Sequence, residues 1–142
     1  TGRPAGAEKL IRDGLQRNRW DAALHNGLGL LLAESGQMAD AAKALAEAAR
    51  LNPGSARHAY NLGLALQESG RLREAEAALR RAYAIDAESS DITIALASLL
   101  IRDGRRGAAQ PLVETLLRRE PDNAQARQLF THLGGTAPAS NR

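Results

Sequence analysis

Cysteine is absent, which excludes disulfides and thiolate metal sites. A cysteine-free chain fits a reducing compartment and a cysteine-poor envelope protein equally well. Aromatic residues make up only 3% of a chain that is 44% hydrophobic, so any core must be alanine and leucine. No stretch approaches the roughly 18 consecutive apolar residues of a membrane span, and the first residues lack the apolar centre of a signal peptide. Lysine is nearly missing too: 17 of the 19 basic residues are arginine, and the formal net charge is only +3.

What the sequence has is a period. Shifted so that Gly70 falls on Gly36 or on Gly104, the stretch 56–89 matches its neighbours on both sides. Gly2, Gly36, Gly70 and Gly104 form one column, and Ala7, Ala41, Ala75 and Ala109 a second. Leu28, Leu62, Leu96 and Phe130 form a third, and Asp21, Ser55, Ser89 and Asn123 a fourth. A fixed period of this length marks stacked supersecondary units. The fourth column holds good helix N-caps, whose side-chain oxygens accept from unpaired first-turn amides, so it predicts four helix starts. Each cap but the last is followed by a member of the glycine column, as Ser55 is by Gly70. There a helix ends, and glycine takes the left-handed conformation without a Cβ clash. Between cap and glycine, Leu62 and Leu66 share a face with Ala59 and Gly63. Beyond the glycine, Ala75, Leu79 and Ala82 line a second helix, and small residues at Gly63 and Ala75 let the two approach closely. Pro53, Ala87 and Pro121 lie just past the second helices, where proline is a stop signal.

This pattern resembles the tetratricopeptide repeat, a helix–turn–helix of about 34 residues with a leucine–glycine pair, small-residue columns and a closing proline. The matching residues are Leu28-Gly29, Asn61-Leu62-Gly63, Ala41, Leu45, Ala48, Pro53, Ala75, Leu79 and Ala82. The third unit keeps Leu96, Gly104, Ala109, Val113 and Pro121, with Ala97 in place of the glycine and Leu116 in place of the second-helix alanine. The family's tryptophan near the start of the first helix is missing; His25, Ala59, Thr93 and Arg127 occupy its column. The resemblance implies an all-α, right-handed solenoid of antiparallel helix pairs, an α–α superhelix, over residues 1–133.

Within that array, 2–19 reads as the second half of a repeat, with Ala7, Ile11 and Gly14 on its inner face and no first helix before it. The chain is accordingly expected to be a fragment of something longer. Full repeats follow at 22–55, 56–89 and 90–123, with helices expected at 22–35 and 38–50, 56–69 and 72–85, 90–103 and 106–119. Pro111 falls inside the last of these, so that helix is expected to start late or bend around Gly107–Pro111. A capping helix at 124–133 carries Gln125, Arg127 and Gln128 on a polar outer face. Residues 134–142, small, polar and broken by proline, read as a disordered tail.

Signs of chemistry are few. His25, His58 and His132 have no ligand spacing, and no cysteine completes a metal site; His25 lies where it could stack on Trp20. Serines 35, 55, 69, 89 and 90 are caps or turn residues, with no nucleophile elbow around them. Glu34 and Glu68 recur singly, without the facing geometry of a carboxylate pair. No phosphate loop is present. Catalysis, a cofactor and a metal are therefore not expected. Arg71/Arg73, Arg80/Arg81, Arg105/Arg106 and Arg118/Arg119 are interleaved with acids, which suits a mixed-charge solvated face better than nucleic-acid binding.

The resemblance implies that first helices line the concave side and that partners bind there. By register those positions are Ala23, Asn26, Leu30 and Ala33, then Arg57, Tyr60, Leu64 and Gln67, then Asp91, Ile94, Ser98 and Ile101. An apolar stripe on a nominally exposed surface favours a binding site over packing between repeats alone. Tyr60, Leu64 and Ile94 are expected to meet near its middle. The carboxylate clamp of chaperone-binding members maps to Asn26, Leu30, Asn61, Asp91 and Ala95; only Asn61 matches, which disfavours heat-shock chaperones and favours a hydrophobic helix or extended peptide. The expected function is a non-catalytic protein-interaction scaffold within a larger bacterial protein, arginine over lysine fitting a GC-rich genome. A cytoplasmic location is expected, with a periplasmic or envelope-associated one as the alternative. The competing functions are the targeting segment of an enzyme such as a glycosyltransferase, and a homo-oligomerisation module of an envelope or secretion assembly through residues 2–19. The face of that segment carrying Ile11 is expected to lack a partner without its first helix.

Overall fold

The computed structural model describes residues 2–136, and side chains from Pro4 onward. These residues form eight helices: α1 (Gly2–Arg17), α2 (Ala22–Glu34), α3 (Met38–Leu51), α4 (Ala56–Glu68), α5 (Leu72–Ile85), α6 (Ser90–Arg102), α7 (Arg106–Arg119) and α8 (Ala124–His132). They group into two compact units, residues 1–85 and 86–142. In the first, each helix packs on the next, and α2 also lies beside α4. In the second, α6 packs on α7, α7 on α8, and α6 lies beside α8.

The period sets the helix ends. Asp21, Ser55, Ser89 and Asn123 each accept, through the side chain, from the backbone amide three residues on, at 3.0, 3.1, 3.4 and 3.0 Å. Gly36, Gly70 and Gly104 close α2, α4 and α6 with φ of 77°, 75° and 76°. Around Gly70, the Arg71 amide donates to Leu66 O and the Gly70 amide to Gln67 O, at 2.9 and 3.0 Å. That two-bond arrangement satisfies carbonyls the helix end leaves open, and it recurs at Gly36 and Gly104.

Alanine and leucine fill the core as the composition requires. Ala41, Ala48, Ala75, Ala82, Ala97 and Ala109 are wholly buried, with Leu45, Leu79, Leu96, Leu99, Leu100 and Leu116. Gly29 and Gly63 are needed for close approach. A Cβ on Gly63 would stand 2.7 Å from Leu79 Cγ, and one on Gly29 would overlap Leu45.

Three expectations are corrected. α7 does not start late: it begins at Arg106, in register with α3 and α5, and carries Pro111 inside it. The amide lost there belongs to an exposed turn, since Gly107, Gln110 and Pro111 all face solvent and water can reach the freed carbonyl. On α1, Ile11 is not left open; it packs with Leu15 against Leu28, Leu32, Ala41 and Ala44 of α2 and α3. The open side chain is Leu10, 73% exposed. Gly134 and Gly135 lie beyond α8 but are tied back to it rather than loose, donating to Thr131 O and Phe130 O at 3.0 Å each. The rest of the expected tail, 137–142, lies outside the described residues.

Candidate functional site

The first-helix face of residues 1–85 is built by α2 and α4 lying side by side. Capping by Asp21 and Ser55 starts both helices at the same phase, so one face of each presents Ala23, Asn26, Leu30 and Ala33, or Arg57, Tyr60, Leu64 and Gln67. Leu30 is 41% exposed. Asn26, Tyr60, Leu64 and Gln67 are half-buried, and Arg57 is exposed. Asn61 Nδ2 donates to Asn26 Oδ1 at 2.9 Å, tying α4 to α2. One amide oxygen of the pair and one amide nitrogen take no part in that bond, and both asparagines are next to aliphatic and phenolic residues on their helices.

In the second unit α6 presents Asp91, exposed, with Ile94, Ser98 and Ile101 half-buried along one face. Tyr60 and Leu64 thus belong to one unit and Ile94 to the other.

Sequence reasoning missed the Asn26–Asn61 bond, although two asparagines one residue off the repeat register were its signal. It also missed that His58 is buried, with Nδ1 unpartnered. Thr93 is buried too, its hydroxyl donating to Ser89 O at 2.9 Å. The expected His25–Trp20 stack does not form. His25 Nε2 donates to Arg19 O at 2.8 Å, while the guanidiniums of Arg19 and Arg50 flank the indole. A backbone carbonyl within reach satisfies the imidazole, and the guanidiniums suit the indole face.

Most arginines of the clusters are engaged by their own chain. Arg71 pairs with Glu74, Arg80 with Glu76 and Arg119 with Glu120, and Arg81 donates to Pro53 O. Hydrogen bonds from Arg71 and Arg50 hold the Glu74 and Glu47 carboxyls below their ordinary value. Among the described residues no three His, Asp or Glu side chains converge as a metal site.

Two clefts recur with the repeat. One, of about 440 Å³, has Leu28, Leu32 and Ala44 as its floor and His25 at its side. The other, of about 330 Å³, has Leu62, Leu66 and Ala78 as its floor and Ala59 at its side. His25 and Ala59 stand in the column from which the repeat's tryptophan is missing.

Sequential helix pairs at one fixed period define a helical repeat protein. Tetratricopeptide repeat models match residues 1–56, 27–90 and 66–133, and the chain belongs to the tetratricopeptide repeat family. No curated protein matches it. Among solved structures it is similar to MamA, with 23% identity, 93% of this chain and 77% of that one covered, and a TM-score of 0.86. It is similar to YrrB, described as a TPR protein with an unusual peptide-binding site, at 19% identity and a TM-score of 0.77. The match covers 89% of this chain and 66% of YrrB, so the chain spans just under two thirds of that protein. An O-GlcNAc transferase variant from Thermobaculum terrenum matches at 28% identity and a TM-score of 0.74, over 83% of this chain and 23% of the transferase.

Proposed function

We propose that this chain is a non-catalytic interaction module of a larger bacterial, cytoplasmic protein, and that it takes a partner's extended peptide or helix on the first-helix face. The observation that carries this reading is the surface shared by α2 and α4. There Leu30, Tyr60 and Leu64 surround an Asn26–Asn61 pair that has hydrogen-bonding capacity to spare. Apolar area next to paired main-chain readers suits a peptide, and tyrosine adds contact area with few torsions to immobilise. Family membership and the peptide-binding site ascribed to YrrB support it. In residues 86–142, Ile94 and Ile101 present a similar aliphatic face on α6.

The test starts from peptides selected on the immobilised protein from a random library. Tyr60→Ala with Leu64→Glu is expected to weaken the selected peptides at least about tenfold while leaving the helical circular dichroism signal nearly unchanged. Arg80→Glu with Arg81→Glu, on the exposed face of α5, is expected to leave binding intact. The reverse outcome removes the first-helix site.

Two other readings each have one observation behind them. The 28% identity to part of a glycosyltransferase supports a substrate-targeting segment of such an enzyme. Leu10, 73% exposed where Ala44 and Ala78 at the equivalent positions are buried, supports self-association through residues 2–19. Sedimentation that shows only monomer at every concentration counts against the latter.

A further inference from the structure

Trp20 is not a product of the repeat. Its register equivalents are Gly54, Glu88 and Asp122. It lies between α1 and α2 and is 58% exposed. The Arg19 and Arg50 guanidinium carbons stand 4.7 and 5.8 Å from the ring centroid. Arg17, Asn18, Arg19 and Trp20 are consecutive exposed residues.

Some arginines elsewhere have acidic partners a turn away, such as Arg12 with Glu8 and Arg80 with Glu76. Others, such as Arg57, Arg73 and Arg102, have none among the described residues but stand beside no indole. Arg50 is tied to Glu47 at 2.5 Å, so its charge at the indole is largely offset. Asp21 is occupied in capping α2. Arg17 and Arg19 make no ion pair among the described residues. Arg17 suits the C-terminal end of α1, where a cation opposes the helix dipole, but Arg19 has no such role. The chain's formal excess of +3 equals that of residues 1–20 alone, which hold five basic and two acidic residues.

We infer that the turn at 17–20 is a peripheral anchor for an anionic lipid surface, with Trp20 at headgroup level and Arg17 and Arg19 facing lipid phosphates. A specific protein interface buries about 800 Å² on each partner, which four turn residues do not supply. A fluid headgroup layer closes around any protrusion, and an indole beside cations is the pairing that such a layer favours. The association is superficial, since among the described residues no helix is long and apolar enough to cross a membrane. With one indole and two cations outside any ion pair it is also weak and screened by salt. It does not depend on the peptide site of α2 and α4.

Trp20 is the sole tryptophan, so its fluorescence reports on the turn directly. With phosphatidylglycerol vesicles at low ionic strength, its emission is expected to shift to the blue and the protein to sediment with the vesicles. With phosphatidylcholine vesicles neither is expected. Arg17→Gln with Arg19→Gln keeps the fluorophore and the helical signal and is expected to weaken vesicle binding roughly thirtyfold, about fivefold per cation. Trp20→Ala is expected to reduce co-sedimentation further. Absence of binding to phosphatidylglycerol, equal binding to both lipids, or full binding by the arginine variant overturns the inference. So does an emission shift with polyglutamate and none with vesicles, which marks an acidic protein as the partner instead.

Discussion

The helix pairs α2/α3 and α4/α5 solve their close contact differently from α6/α7. In the first two, glycine on the first helix faces leucine on the second: Gly29 with Leu45, and Gly63 with Leu79. In the third, the register-equivalent residues are Ala97 and Val113, both wholly or almost wholly buried. One carbon has moved from the second helix to the first, and the summed side-chain volume is unchanged. The repeat therefore constrains the volume shared between facing positions, not the residue in either column. Close-packed interiors tolerate swaps that conserve volume and resist those that do not.

The largest expected effect comes from emptying that contact. Leu79→Ala should cost about 2–5 kcal/mol, because it removes a wholly buried side chain and leaves a cavity. Urea unfolding followed by circular dichroism measures it, and a loss below about 1 kcal/mol would show that α4 and α5 can collapse to fill the space.

Moving the carbon tests the comparison itself. Gly63→Ala alone puts a Cβ 2.7 Å from Leu79 Cγ and should cost about 1–3 kcal/mol from overpacking, less the gain of about 1 kcal/mol from replacing a helical glycine. Leu79→Val alone should cost about 0.5–1.5 kcal/mol. Together they reproduce the third pair, and the double variant is expected to be more stable than the sum of the singles predicts. Additivity within about 0.5 kcal/mol would break the volume argument.

Backbone geometry ranks next. Gly70 holds φ at 75° with open space where a Cβ would go, so Gly70→Ala carries only the backbone penalty, about 1 kcal/mol. Gly107, helical and equally unobstructed, offers the contrast: Gly107→Ala should be neutral or stabilising in the same unfolding assay.

This ranking also explains how far the sequence could be read. Columns of caps and glycines carry local chemistry, so Ser55 and Gly70 announced helix ends that the structure shows at or beside those positions. The first-helix face was legible for the same reason, since register alone assigns Leu30, Tyr60 and Leu64 to it. What register could not show were contacts between unlike positions. Asn61 reaches Asn26 from one residue off the column, and Arg81 reaches the Pro53 carbonyl in the turn before α4. Trp20 exchanged its expected imidazole for two guanidiniums because Arg50 arrives from the far end of α3, a helix beyond the one Trp20 precedes. Pro111 does not delay the start of α7, one of the two effects expected of it. Its penalty is real, but packing of Ala109, Val113, Leu116 and Leu117 holds α7 in register around it.

The smallest expected effect again separates the third pair from the second. Ser90 Oγ donates to Glu120 Oε1 at 2.5 Å, joining the start of α6 to the residue after α7. The equivalent positions in the second repeat are Ala56 and Asp86, where no such bond can form from an alanine. The Ser90 hydroxyl, and after it the Asn123 amide, hold the Glu120 carboxyl below the ordinary value of 4.5. A folded-state value below the unfolded one means that the contribution to stability is present above about pH 4.5 and is lost as pH falls through the folded value. Ser90→Ala should move the Glu120 titration, followed by carboxyl chemical shift, upward toward the ordinary value. It should lower stability slightly at neutral pH and leave stability in acid, where the carboxyl is protonated in both states, nearly as it was. If the titration does not move, Asn123 and Arg119 hold the carboxylate without the serine, and the tie is no more than a close contact.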